Sequence, residues 1–172
     1  MQESDFNSRF VDLVRDAGGA AYKIPDPPPA YARSADKRPF DGFGCFKGTS
    51  FYFESKFSKG YEAFAFSRVE EHQFDNLRTF RQAGGLSVIL FAVWESRKYF
   101  DIYGFNSELV ESLFEKGVKS FTKKVLLELK EQGYCTDILS SKSDSVQCVE
   151  HVFEKLIMTE APLVNTSFKF AT

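Results

Sequence analysis

The sequence predicts an α/β (α+β) fold, a central mixed β-sheet flanked by helices, and three observations predict it. The opening stretch carries apolar residues at helical spacing. The middle of the chain alternates aromatic, strand-like runs with one amphipathic helix, and helical periodicity returns beyond Asn106.

Taken in order, Ser4 to Ala17 places Phe6, Phe10, Leu13 and Val14 on one helical face, with Gly18-Gly19 as the stop. Ala20 to Ile24 reads as a short strand. Pro25-Asp26-Pro27-Pro28-Pro29 then removes donors and fixes φ, so 25–38 is expected to be a loop, ending in Arg33, Lys37 and Arg38. Two β-rich runs follow, G-F-G-C-F and S-F-Y-F-E-S-K-F, joined by a hairpin turn at Lys47-Gly48-Thr49. Ser67-x-x-Glu70 has the form of a capping box, and Val69, Phe74, Leu77 and Phe80 predict a helix reaching Gly84-Gly85. The apolar run from Leu86 to Trp94 suits a strand buried on both faces, with Lys98 to Tyr103 as its hairpin partner. From about 107 the chain reads as helical: Leu109 to Phe114, Val125 to Leu129, and Val149 to Ile157.

A chain of 172 residues, 43% hydrophobic and 27% charged, is expected to be one soluble domain spanning 1–172. The amino terminus lacks a signal-peptide pattern and no apolar run reaches a bilayer-spanning length, so a cytoplasmic protein with no membrane association is expected. Cys45, Cys135 and Cys148 are scattered, which argues against a zinc site or a disulfide framework. A net charge of −2 excludes a uniformly basic surface, so any nucleic-acid contact has to be a local patch. The 20 phenylalanines are expected in the core. With only His72 and His151 available, no Ser-His-Asp or Cys-His arrangement is expected, and the two Gly-Gly pairs lack the context of phosphate loops.

The candidate chemistry lies in Asp41, Glu54 and Lys56. A hairpin joining the two β-rich runs can bring both carboxylates to one edge. Strand alternation puts Glu54 and Lys56 on one face and turns Ser55 away, leaving the Ser55 carbonyl as a hard oxygen ligand. Two carboxylates, a carbonyl and waters suit Mg2+, with Mn2+ as a substitute. Such an ion held beside a lysine can generate a hydroxide-like nucleophile and neutralise charge on a phosphodiester under attack. Lys56 can orient or deprotonate the water, or stabilise the phosphate. An E-x-K pair in a strand is also a common solvated charge pattern, and the combination with an upstream Asp41 and the F-Y-F run is what makes it informative.

These residues resemble the PD-(D/E)xK nucleases, whose core is restriction-endonuclease-like, and more closely the RecU-type Holliday junction resolvases. Tyr22-Lys23-Ile24-Pro25 is similar to the family's strand entering its Pro-containing loop, and R-P-F-D-G-F-G to its aspartate segment. F-Y-F-E-S-K resembles I-D-F-E-A-K. His72-Gln73 resembles the helix motif, A-G-G-L-S-V-I-L-F the next strand, and Lys119 to Lys123 the R-K-S-I-x-K stretch. The resemblance implies that Asp41, Glu54 and the Ser55 carbonyl bind the metal, that Lys56 is the catalytic lysine, and that Gln73 stands beside the site. A helix glutamine is otherwise simply solvated. It also implies an acidic residue from the first helix, for which Glu3 is the early candidate.

As partners the resemblance implies branched DNA in the form of a four-way junction, a second copy of the chain in a homodimer, and a recombinase. Arg33, Lys37, Arg38, Lys119 and Lys123 are the candidate DNA contacts, with a solvated face as the alternative for each cluster. The family's stalk between first strand and aspartate is replaced here by a short Pro-rich loop, and its threonines by Arg38-Pro39-Phe40. Cutting of flaps, single strands or duplex DNA, or a non-catalytic DNA-binding recombination accessory role, are therefore the alternatives.

Overall fold

The computed structural model describes residues 3–25, 38–59, 63–96, 99–132 and 135–140, together with Phe153. Helix α1 (Glu3–Asp16) is followed by strands β1 (Ala20–Lys23), β2 (Gly42–Phe46) and β3 (Thr49–Lys59). Then come β4 (Phe64–Ala65), a 3-10 turn (Phe66–Arg68), α2 (Glu71–Gln82), β5 (Leu86–Ser96) and β6 (Tyr99–Asn106). Helix α3 (Ser107–Glu115), β7 (Ser120–Phe121), α4 (Lys123–Glu131) and β8 (Cys135–Ser140) complete the order. A six-stranded sheet runs β1-β2-β3-β5-β6-β8, and β4 pairs with β7 in a separate ribbon.

The β1, β2 and β3 strands are antiparallel, β3 and β5 are parallel, and β5, β6 and β8 are antiparallel again. The mixed sheet is thus the predicted one, and the parallel step is made by the crossover through α2. The hairpin turn is tighter than expected. Lys47 (φ 47°) and Gly48 (φ 84°) alone form it, with both φ values positive as a two-residue primed turn requires, and Thr49 already pairs with Phe46.

Each face of the sheet has its own core. On one side Phe6, Phe10 and Val14 of α1 pack on Phe51, Phe53, Val88 and Leu90, with Phe153 against Phe46 and Phe51. On the other, α2, α3 and α4 cover Ile89, Phe91, Val93 and Phe105. β5 contributes alternately to both cores, which explains its uninterrupted apolar run. The phenylalanine excess is largely spent here: among the described residues, eleven of the twelve largest fully buried side chains are Phe.

Three expectations are corrected. The helix begins later than the Ser67-x-x-Glu70 reading: Ser67 lies in the 3-10 turn, Val69 is buried in an extended conformation, and Glu70 is the N-cap with Gln73 as its partner. Burying Val69 keeps the chain extended for one more step, which moves the capping box three residues on. The chain beyond 107 is not wholly helical, because β7 lies between α3 and α4 and β8 joins the main sheet beside β6. The β-branched Thr136 and Ile138 fit that strand. The hairpin partner of β5 is Tyr99–Asn106, longer toward its end than the expected 98–103. The expected loop up to 37 and the helix at 149–157, apart from Phe153, lie outside the described residues. Among the described residues, no helix is long and apolar enough to cross a membrane.

Candidate active site

Asp41 stands where the hairpin register gives way. Its carbonyl accepts from Ile24 N–H at 2.8 Å, continuing the β1–β2 pairing, while its N–H donates to the Phe53 carbonyl at 3.0 Å. Phe53 is already opposite Gly42, so Asp41 and Gly42 share one partner position, as in a bulge. The ladder place that a main-chain acceptor would take next is filled by the Asp41 side chain, whose Oδ2 accepts the Ser55 N–H at 2.9 Å. With its backbone held by two main-chain bonds and its carboxylate by the Ser55 N–H, Asp41 has little freedom left.

The second carboxylate is Glu54, beside Asp41 across the hairpin and on the face that looks toward α2. Both are 2% exposed. Two buried anions side by side require compensation, since each unpaired charge costs several kcal/mol. The structure supplies it one cation per acid. Arg38 Nη2 lies 3.2 Å from Asp41 Oδ1 while its Nη1 donates to the Ile24 carbonyl at 3.1 Å. Lys56 Nζ donates to Glu54 Oε1 at 2.7 Å.

Gln73 converges on the same carboxylate. Its Oε1 accepts the Glu70 N–H at 2.9 Å, which leaves its Nε2 to donate to Glu54 Oε1. The cap that starts α2 therefore also aims an amide into the site, and the helix cannot shift without pulling on Glu54. Between the sheet and α2, Phe40 meets Tyr52 and Phe80 edge-on at 5.0 and 4.9 Å, and Tyr52 stacks on Phe80 at 4.0 Å. This aromatic wedge fixes the residue just before Asp41.

Ser55 faces the α1 core, as alternation predicts, and among the described residues neither its buried hydroxyl nor Asn7 Oδ1 has a hydrogen-bond partner. In a strand a residue's N–H and C=O point to the same side. Since the Ser55 N–H points at Asp41, its carbonyl is directed to that same edge. Two carboxylates and a carbonyl, all hard oxygens, fit a small divalent cation. No cluster of three or more His, Cys, Asp or Glu side chains suited to a metal occurs among the described residues, so such an ion would rely on the carbonyl and on water.

The structure thus brings together Asp41, Glu54, Ser55, Lys56 and Gln73, and adds Arg38. Arg38, one of the candidate DNA contacts, has its guanidinium on Asp41 and on the end of β1. Arg33 and Lys37 lie outside the described residues. Lys119 is exposed before β7, where its carbonyl accepts from Phe66 at 2.9 Å, and Lys123 is exposed at the start of α4. Glu3 opens α1. His72 lies 3.3 Å from Glu70 in the cap. The Arg38 pairing and the Phe40–Tyr52–Phe80 wedge were missed in the sequence. The i,i+3 spacing of Arg38 and Asp41 was the available signal for the first, and nothing local marks the second.

A mixed sheet flanked by helices, with two buried acids and a lysine at the open end of its central hairpin, defines an α/β protein. The family described as recombination protein U matches residues 29–151, well over half of the chain, and the chain belongs to this RecU family. Among solved structures it is similar to Hjc, a Holliday junction resolvase from the archaeal hyperthermophile Archaeoglobus fulgidus. That similarity has 19% identity and a TM-score of 0.47, over 71% of this chain and 89% of the other. A search of curated proteins finds no match.

Proposed function

We propose that this chain is a Mg2+-dependent endodeoxyribonuclease, acting as a homodimer that resolves four-way DNA junctions by paired nicks, each copy a single nuclease domain working in the cytoplasm. One observation carries the reading: two buried carboxylates meet neighbouring residues of β3, Asp41 accepting the Ser55 N–H and Glu54 accepting from Lys56 Nζ at 2.7 Å. Membership of the RecU family supports DNA recombination as the setting, and a junction needs two symmetric cuts, which two copies of one site provide.

In this reading Asp41, Glu54 and the Ser55 carbonyl hold the metal. When bound, the ion supplies a water of lowered pKa and charge for the phosphate oxygens. Asp41 arrives preoriented, its Oδ2 fixed by the Ser55 N–H. Arg38 neutralises Asp41 and holds a guanidinium beside the place where a phosphate would bind. Lys56, two residues from Glu54 and on the same face of the strand, orients the attacking water and stabilises charge on the phosphate. Gln73 keeps Glu54 from rotating away. A recombinase is the expected macromolecular partner.

The test is a side-by-side assay of four-way junction, flap, single-stranded and linear duplex DNA with Mg2+, Mn2+ or EDTA. Symmetric nicking of the junction in Mg2+ is expected, with no cutting in EDTA. Losing a metal ligand removes several kcal/mol of charge stabilisation, so Asp41→Asn should slow cutting by about a thousandfold or more while still binding the junction. Equal cutting of plain duplex would overturn the junction assignment, and an Asp41→Asn protein as fast as the parent would overturn the site.

A further inference from the structure

Among the described residues most aromatic side chains are inside; of the exposed ones, Phe114 stacks on Phe74, while Tyr22 and Phe43 stand together on the sheet. Among the described residues, Tyr22 is 54% and Phe43 41% exposed. They are direct partners across β1 and β2, with ring centroids 5.8 Å apart and a mutual tilt of 33°. Phe43 is in turn opposite Tyr52, which packs under α2, so all three stand on the α2 side of the sheet. Helix α2 covers that face over β3 and β5, and Tyr22 and Phe43 remain in solvent on the two strands beyond it.

Their position relative to the acids matters most. Phe43 is two residues from Asp41, so at most about 7 Å of extended chain separates them. The strand behind Phe43 has no freedom to recede. A Cβ on Gly42 would come within 2.5 Å of the Tyr22 carbonyl and one on Gly44 within 2.3 Å of the Ala20 carbonyl, so β1 and β2 are pressed together at both flanking positions. The nearby cation is Arg15, which also lies 3.9 Å from Asp12. The guanidinium carbon of Arg15 lies 5.2 Å from the Tyr22 ring centre, and its side chain is 48% exposed. An exposed aromatic surface, held rigid, rimmed by a guanidinium and continuous with a phosphodiester-cutting site matches an unstacked nucleobase with its attached phosphate.

We propose that Tyr22 and Phe43 form a stacking platform for one unpaired or unstacked base of the DNA strand whose phosphate lies at Asp41 and Glu54, with Arg15 contacting a neighbouring phosphate. The proposal rests on the nuclease reading of the site for the direction in which the strand runs. Stacking is indifferent to base identity because every base has a π-face, so the platform selects for strand opening, as at the centre of a branched junction, and discriminates against intact duplex.

The experiment uses the full chain in EDTA with four-way junctions carrying 2-aminopurine at each nucleotide next to the crossover, and the matching linear duplexes. The parent should quench or shift 2-aminopurine at one junction position and at none in duplex. Tyr22→Ala with Phe43→Ala should abolish that signal and weaken junction binding about five- to 150-fold, the range for loss of one stacked base. Tyr22→Trp with Phe43→Trp should retain both. Arg15→Ala should weaken binding while keeping the signal. Unchanged signal and affinity in the alanine pair would overturn the platform. So would its loss accompanied by a smaller sedimenting species, because the face would then join two copies of the chain. Cleavage in Mg2+ is scored separately. A parent that stacks the base but cuts no DNA retires the nuclease reading and leaves the platform, whereas a parent that cuts, beside an alanine pair that binds equally well, retires the platform alone.

Discussion

Replacing Lys56 by Met tests whether the site is balanced charge for charge. Glu54 is 2% exposed and the Lys56 side chain 11%, with 2.7 Å between Nζ and Oε1. At an effective dielectric near 20 that separation gives a gross attraction of about 6 kcal/mol, much of it offset by desolvation of both groups. Removing one partner leaves the other buried and uncompensated, which costs about 3–5 kcal/mol. Gln73 still donates to Glu54, so the lower end, about 3 kcal/mol, is expected, and Met preserves most of the packed stem. For a chain of this size that is a fall in Tm of about 6–12 °C. Glu54→Gln combined with Lys56→Met should recover much of the loss, since a neutral pair has no buried charge to satisfy. A divalent cation should raise the Tm of Lys56→Met by more than that of the parent, because the ion restores the missing positive charge. Thermal melts followed by circular dichroism, with and without Ca2+, read all of this. A Lys56→Met protein melting within about 2 °C of the parent, or gaining no more from the ion, would refute the charge-balance account.

Further outcomes follow from single contacts. Gln73→Ala should lose about 1 kcal/mol with the cap and also lower cutting, whereas Gln73→Glu keeps an acceptor for the Glu70 N–H but sets a second carboxylate against Glu54. The Glu variant should therefore melt nearer the parent yet cut more slowly than the Ala variant, which melts and single-turnover rates together decide. Ser55→Ala removes a buried hydroxyl without a partner and should raise stability by about 1 kcal/mol in urea unfolding. A large loss of cutting would assign that hydroxyl a role the geometry does not give it. Gly44→Ala forces a Cβ to within 2.3 Å of the Ala20 carbonyl and should destabilise by about 1–3 kcal/mol, seen as a lower urea midpoint.

The sheet was readable because its patterns are strong. The β5 run Ser87 to Val93 is buried at every described position, and the Phe-rich hairpin alternates cleanly between Phe51 and Phe53 on one face and Tyr52 and Glu54 on the other. The acids and Lys56 followed from that alternation and from one turn. β8 was missed because its short run follows a helical segment and its strand identity depends on pairing with β6, a tertiary fact. The start of α2 was misplaced because Ser67 is the usual capping residue type, and only the burial of Val69 overrides it. The pairing of Arg38 with Asp41 was not legible because a basic cluster shows charge without showing partners. The approach of Arg38 to Asp41 depends on the end of β1, where the Ile24 carbonyl holds the other guanidinium nitrogen.

The Lys47-Gly48 turn works as a ruler. Strand side chains repeat every second residue, so one residue inserted or deleted in those two positions would slide β3 against β2 and turn Glu54 away from Asp41, presenting Phe53 or Ser55 in its place. Every side chain could be retained and the acidic pair would still be lost. The site is thus written partly as an integer, the distance of 13 between positions 41 and 54, and length changes here should be far less tolerated than most substitutions nearby.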